Sequence, residues 1–316
     1  MISVIIPTYE RPIELTRAIK SVLNQVNVLF ELLIINDSDN EQPVLDLLDK
    51  FNDKRILYFR NERTRGGNGA RNTGIIHSKG EFIAFLDDDD EWYPTKLEEQ
   101  FKLLKSLDYS WGAVYCGFED NINDKWIEFQ SLKDGNIFYE ILSGKSSANA
   151  GSTLFIRKSL LVSIGLFDEE LSRQQDLELL ARFFRKSRIA CVNKVLVKIY
   201  GHNETKNQKD LESNKILFLD KIKEDINQLP TPFQNKIYAF QYRELSLYFA
   251  IYGNNQKSFY YFKKSLSYSF MFPTRYLSIF LYILKNKTGI NTLKQLDKVK
   301  LYIFQKKVTQ KLLKKM

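Results

Sequence analysis

Short apolar runs alternate with amphipathic stretches through the first 130 residues, the pattern of successive βαβ units. The apolar runs predict strands over Ser3–Ile6, Leu32–Ile35, Ile56–Phe59, Phe82–Leu86 and Ala113–Cys116. Between the first two, Leu15, Ala18, Ile19, Val22 and Leu23 recur at helical spacing, and Pro12 suits a first helical turn. Thr95-Lys96-Leu97-Glu98 reads as a capping box that opens a helix running to Leu107. Phe82-Ile83-Ala84-Phe85-Leu86 is apolar at every position, as in a parallel strand buried on both faces. The fold class implied is a doubly wound α/β domain whose strand ends collect on one edge.

From residue 130 the pattern loosens. Ile137–Leu142 reads as helix, Gly144–Gly151 as a small-residue loop, Ser152–Ile156 as a strand and Ser159–Ile164 as a short helix. Gly165–Asp168 marks a turn, and Asp176–Arg185 a helix with Leu179, Leu180 and Phe183 inward. After His202 the chain turns polar, which divides it into a first domain over 1–204 and a helical region over 205–316. In that second region Phe233, Ile237 and Phe240 share a helical face, as do Phe259, Phe262 and Leu266. The following FMFPTRYLSIFLYILK is interrupted by Pro273 and Arg275.

Charge sharpens that division. Residues 1–225 carry a net −5, whereas 226–316 carry +14, with Glu244 and Asp297 as the only acidic residues there. A basic, aromatic-rich region suits an anionic membrane surface or a contact between subunits, a homodimer included. No nucleic-acid motif accompanies the charge. Cys116 and Cys191 lie in apolar stretches and read as reduced thiols of a cytoplasmic protein. The chain opens on a strand, so no signal peptide is expected. No apolar run reaches the roughly 18 residues of a membrane span.

The chemistry gathers at strand ends. Four consecutive carboxylates, Asp87 to Asp90, follow the fourth strand, and such a density of like charge calls for compensation. A hard divalent cation supplies it well. The first strand ends in Pro7-Thr8-Tyr9, where Tyr9 can stack on a planar base and Thr8 can donate a hydrogen bond. The second ends in Asn36-Asp37, a carboxylate placed for ribose hydroxyls or a base N–H. Gly66-Gly67-Asn68-Gly69-Ala70-Arg71 opens a helix whose N-terminus, with Arg71, favours an anion such as a diphosphate. Each segment alone is also an ordinary turn, and Asp176 alone is also a carboxylate on a helix dipole.

Together VIIPTYERP, IINDS, GGNGARNTGI, FLDDDDEWYPTKL, GSTLFIRKS, GLFDEEL and RQQDLELLARF resemble family 2 glycosyltransferases of the GT-A fold, over roughly residues 2–200. The resemblance implies a Rossmann-like, doubly wound mixed sheet and inverting transfer of a sugar from a nucleotide diphosphate to a hydroxyl. It implies a UDP-sugar donor, Mn²⁺ or Mg²⁺, and a saccharide acceptor, lipid-linked in many bacterial relatives that build surface polysaccharide. That places the chain in the cytoplasm or peripherally on the cytoplasmic face of the membrane. The family's DxD motif falls on Asp87-Asp88-Asp89, with Asp89 as metal ligand and Asp87 or Asp88 on ribose or donor sugar. Its uracil-binding positions fall on Thr8, Tyr9 and Asp37, and its catalytic base on Asp176. Two departures stand out: Asn36-Asp37 where many relatives have Asp-Asp, and Glu10 where many have Asn. Gln174 and Gln175 read as ligand-contacting or as plain surface residues. A sugar nucleotidyltransferase, or a non-catalytic subunit binding nucleotide-sugar or polysaccharide, stays open as an alternative.

Overall fold

The computed structural model describes residues 1–122, 125–130, 133–146, 148, 151–200, 208–269 and 274–288. The chain divides into two compact units, one holding Met1–Asn121, Lys125–Ile141 and Lys145–Ile222, the other Leu142–Gly144 and the chain from Lys223.

The first unit begins with β1 (Ile2–Thr8), α1 (Pro12–Leu23), β2 (Phe30–Asn36), α2 (Gln42–Asp49) and β3 (Ile56–Arg60). It continues with α3 (Gly67–His77), β4 (Phe82–Phe85), β5 (Glu91–Trp92), α4 (Lys96–Ser106), β6 (Trp111–Ile122) and β7 (Lys125–Phe129). Then come α5 (Phe138–Leu142), β8 (Phe155–Arg157), α6 (Lys158–Ser163), α7 (Gln175–Phe184), β9 (Arg188–Ile199) and α8 (Gln208–Lys221). Among the described residues the strands form one sheet in the order β3-β2-β1-β4-β8-β6-β9-β5, with β7 beside β6. β3, β2, β1 and β4 are parallel, β8 runs against both β4 and β6, and β9 returns parallel to β6. The α/β class is therefore as expected, and the sheet is mixed.

The core explains why these strands form. Val4, Ile6, Leu32, Ile34, Ala84 and Val114 are wholly buried together with Leu15, Ala18, Ile19 and Val22 of α1. On the other face Gly74 of α3 lies so close to the sheet that an added Cβ would stand 2.5 Å from Ile5. Burial on both sides removes the polar alternation of a half-exposed sheet. Because the chain passes from β1 outward to β3 and returns to β4, β1 has neighbours reached from opposite directions. The carboxyl ends of β1 and β4 thus flank a topological switch point, where ligands of open α/β sheets bind.

Three local expectations are corrected. Thr95 precedes α4 but its side chain makes no cap hydrogen bond, its backbone being at φ −97°, ψ 3°. Gln25, two residues past the end of α1, supplies the missing acceptor, taking the Leu97 N–H at 2.9 Å, while Glu98 turns to Asn27 and Lys102. The predicted strand over Ser152–Ile156 begins only at Phe155, since Leu154 N–H closes a turn on the Gly151 carbonyl at 3.1 Å. Ser152 is thereby left free to face the acidic run. Third, the polar stretch after 202 holds α8, which joins the first unit: Ser172 N–H donates to Asn214 Oδ1 at 3.0 Å, and Lys221 pairs with Asp168 at 2.6 Å. His202 and the junction at 204 lie outside the described residues.

The second unit holds α9 (Lys223–Asn227), α10 (Thr231–Ile251), α11 (Asn255–Tyr268) and α12 (Thr274–Thr288). Gly253, at φ +82°, turns α10 into α11, and Asn254 caps α11 by accepting the Lys257 N–H. The helices approach closely at Ser246 and Ser258, whose hydroxyls each donate to the other's carbonyl at 2.8 and 2.9 Å. Tyr242, Phe249 and Tyr261 stack beside them. Of the predicted apolar faces, Ile237 is buried, but Phe233 and Phe259 remain 40% and 50% exposed. No helix among the described residues is long and apolar enough to cross a membrane.

Candidate active site

The acidic run forms a tight turn, with Asp90 N–H returning to the Asp87 carbonyl at 3.1 Å. Its four carboxylates are each held by hydrogen-bond or ion-pair partners, Asp88 and Asp89 sharing Arg11, which is how the unit tolerates them. Asp87 accepts from Arg71 of α3 at 2.5 Å. Asp88 accepts from the Thr8 hydroxyl at 2.9 Å and the Tyr9 N–H at 3.4 Å. Asp89 pairs with Arg11 at 2.6 Å, and Asp90 accepts from the Ser152 hydroxyl at 2.5 Å. The parallel register sets Ile5 opposite Phe85, which carries Thr8 to Asp88. Burial, opposed by the Thr8 hydrogen bond and reinforced by Asp89, pushes the Asp88 carboxyl up to about 6.

Asp37 sits one residue past β2. Its two oxygens accept from Asn61 Nδ2 at 2.6 Å and from Gly66 N–H at 2.7 Å, so it clasps the loop that leads into α3. Gly66 has φ +117°, and a Cβ on Gly69 would stand 1.9 Å from the Thr64 carbonyl oxygen. Glycine is therefore required in this turn by backbone conformation and by close approach. Asn36, where relatives carry Asp, closes a local turn by accepting the Ser38 N–H at 3.1 Å. Glu10 has φ 53°, a left-handed conformation that Asn tolerates better than Glu, and it accepts from Ser38 Oγ at 3.1 Å.

Pro7, Thr8, Tyr9, Asp37, Arg71, Asp87, Asp88 and Asp89 all line one cavity of about 330 Å³. Every residue singled out for nucleotide or metal is thus brought together. Tyr9 stands at its rim, 50% exposed. Asp176 is not in the wall, but Gln175 is. Asp176 is the second residue of α7, whose first turn starts from left-handed Gln174 at φ 61°. Burial of its carboxyl raises its pKa, against the Leu177 N–H and the Arg71 guanidinium, which pull the other way. The residue as a whole keeps some solvent exposure, but its carboxyl group is packed round by protein. The Oε1 atoms of Gln174 and Gln175 are buried with no hydrogen-bond partner. Neither is a plain surface amide.

Among the described residues no three His, Cys, Asp or Glu side chains form a ready-made metal cage. The donor set still fits a hard cation that brings oxygen ligands with it. Asp88 and Asp89 crowd two carboxylates on a single Arg11 guanidinium, and phosphate oxygens and water complete such a coordination sphere.

Three contributors escaped the sequence reading. Arg11 is visible only as part of a turn, and Arg17 only as a polar position on α1, yet Arg17 donates to the Asp89 carbonyl. Ser152 carries no sequence signal. Its hydroxyl accepts the Asp87 N–H at 3.1 Å while donating to Asp90, so one residue holds both ends of the acidic turn.

The family described as glycosyl transferase family 2 matches residues 3–165. An uncharacterized glycosyltransferase of Rickettsia typhi is 34% identical over 210 residues, 64% of either chain. The chain therefore spans less than two thirds of the length of that curated relative. An Escherichia coli UDP-Glc:alpha-D-GlcNAc-diphosphoundecaprenol beta-1,3-glucosyltransferase, WfgD, is 33% identical over 134 residues, 42% of this chain and 53% of its own. Among solved structures, S. aureus TarS 1-349 superposes with a TM-score of 0.62 at 15% identity, covering 92% of each chain. A mannosyltransferase of Pyrobaculum calidifontis gives 0.55 at 16% identity, covering 91% of this chain and 87% of that one. These two likenesses concern the fold. With the family match extending over more than half of its residues, the chain belongs to glycosyl transferase family 2.

Proposed function

We propose that this glycosyltransferase moves a sugar, with inversion, from a UDP-sugar to a hydroxyl of a saccharide acceptor in bacterial surface-polysaccharide synthesis. The observation that carries the reading is the single cavity in which Tyr9, Asp37, Arg71 and Asp87 to Asp89 converge, with Gln175 in its wall and Asp176 next in sequence. In this reading Pro7, Thr8, Tyr9 and Asp37 receive the nucleoside, the exposed Tyr9 ring lying against the base. Arg71 and the first turn of α3 receive diphosphate. Asp87 and Asp88 hold ribose or donor sugar, and Asp89 would hold the metal. A bound Mn²⁺ or Mg²⁺ supplies stabilisation of the charge developing on the leaving diphosphate.

Asp176 takes the proton of the acceptor hydroxyl as the new C1–O bond forms. The bond from C1 to the diphosphate oxygen breaks, and its electron pair leaves with UDP. A carboxyl with a raised pKa is the better base for this step. The donor class draws support from WfgD, whose name specifies UDP-Glc, and from TarS, crystallised with UDP-GlcNAc. The Pyrobaculum enzyme was crystallised with Mn²⁺ and GDP-Man, so the base is the part of the donor to test first. A lipid-linked acceptor draws support from the diphosphoundecaprenol in the name of WfgD. The second unit fits contact with an anionic leaflet or a second copy, since Phe259, Tyr260 and Phe280 are exposed in a strongly basic region.

Calorimetry of UDP, GDP and dTDP with and without Mn²⁺ tests the reading. Metal-dependent binding of UDP, lost in Asp89→Asn, is the expected result. A folded protein that binds none of the three overturns it.

A further inference from the structure

We propose that a second cavity, along the flank of α1, binds the phosphate group of a second ligand. The cavity measures about 490 Å³ and is walled by α1, by β5 with the Tyr93-Pro94 turn after it, and by the end of β9. Three cations line it, Arg17, Lys20 and Lys198, against one carboxylate, Glu91. Glu91 offsets one of the three cations at most: it lies opposite Lys198 in the β5–β9 ladder, and its Oε2 accepts from the Tyr200 hydroxyl at 2.9 Å. Among the described residues neither Lys20 nor Lys198 has an ion-pair partner, and Lys198 is instead 5.1 Å from the centre of the Tyr93 ring. This local excess of positive charge runs against the net −5 of residues 1–225.

Arg17 gives the cavity its built character. Its guanidinium lies 3.6 Å over the Tyr200 ring and donates to the Asp89 carbonyl, while its Nε is buried with no hydrogen-bond partner. A planar cation clamped between an aromatic face and a carbonyl, in a cavity that two lysines also line, suits a phosphate ester. Ile13, Trp92, Tyr93 and Pro94 leave apolar room beside the charges. The ligand class is therefore a phosphate borne on a larger body, such as a sugar phosphate or a lipid headgroup, and not a bare ion. The donor cavity cannot serve the same anion without metal, because Asp87 to Asp89 line it. The two cavities meet at Arg17, so occupancy of one bears on the carbonyl of Asp89 in the other.

Titration of metal-free full-length protein with glucose 1-phosphate tests the site. It is repeated on Lys20→Glu/Lys198→Glu, on the milder Lys20→Gln/Lys198→Gln pair, and on Arg71→Ala. Binding weakened tenfold or more by either lysine pair, and kept by Arg71→Ala, is the expected result. Absence of binding, binding unchanged by the lysine substitutions, or binding lost only in Arg71→Ala overturns the proposal. Vesicles of phosphatidylglycerol in phosphatidylcholine identify the source. Vesicle capture that the lysine pairs abolish names a lipid headgroup, and capture indifferent to them leaves a free phosphosugar. The Gln pair guards against misfolding of the Glu pair. The inference does not rest on the donor assignment.

Discussion

Two cavities adjoin α1, one at its N-cap residue Arg11 and one along its flank, and they differ in sign. One is walled by four aspartates with Arg11 and Arg71 as counter-charges, the other by three cations with Glu91. Both would take phosphate, but by opposite means. In the proposed function the acidic cavity accepts a diphosphate together with a cation, which would make binding conditional on metal and suit a step in which charge develops on the leaving group. The basic cavity needs none, which suits holding a phosphate that does not react. Placing both beside one helix lets a fold handle two anionic groups without mutual repulsion.

The strongest break in that contrast is Asp176→Asn, which removes the proposed base while leaving both cavities charged as before. We expect transfer to fall by about 10² to 10⁴, the usual range for a general base, with UDP binding by calorimetry unchanged. Asp89→Asn is the counterpart, losing metal-dependent UDP binding as well as transfer.

Lys96 lies beneath the basic cavity, 3.9 Å from the ring of its wall residue Trp92, and its ammonium donates to Gln100 at 2.7 Å. Burial pushes its pKa down to about 8. Because the folded value lies below the unfolded one, the unfolded chain binds more protons between about pH 8 and the lysine's ordinary value, and stability rises with pH across that window. Urea melts at pH 7.5 and 9.5 should show the wild type gaining about 2 kcal/mol relative to Lys96→Met. An equal pH response in the two proteins would mean that Lys96 keeps its proton in the fold across that window, and would rule out the lowered pKa.

Ser152→Ala sharpens the acidic side alone. It leaves the Asp87 N–H and the Asp90 carboxylate each short of a partner, so the turn loosens. The donor KM should rise on the order of tenfold, from about 1–3 kcal/mol of lost hydrogen bonding, with kcat changed less and Ser152→Thr restoring most of it. A kcat loss at constant KM would contradict a positioning role. The smallest effect belongs to Glu10, at the turn where β1 enters the shared helix. Glu10→Asn should stabilise by less than about 1 kcal/mol, since Asn accepts the left-handed backbone at lower cost. A lower melting temperature would instead mean that the Ser38 hydrogen bond matters more than the strain.

Much of the fold and site was legible because the relevant forces are local in sequence. Strands buried on both faces are mostly apolar, so β4 appears as an uninterrupted run and β1 and β2 as runs broken only near their starts, by the mutually hydrogen-bonded Ser3 and Glu31. Helix α1 shows its buried stripe at helical spacing. Strand β9 was not legible, since Asn193, Lys194 and Lys198 break its apolar run and register shifts against β6 disturb the period. The capping box at Thr95 was misread for a similar reason: a distant glutamine took over the role that its local pattern promised.

Alone, the sequence determined the α/β class, the family and the list of carboxylates, because these follow from hydrophobic periodicity and contiguous motifs. Only the tertiary structure decided how the carboxylates are shared out, Asp87 to Arg71, Asp88 to Thr8, Asp89 to Arg11 and Asp90 to Ser152. It alone gathered Arg17, Lys20 and Lys198 around one cavity. Partners separated by tens of residues leave no periodic trace in the chain. Their pairing is set by strand register and helix packing, which exist only once the sheet has formed.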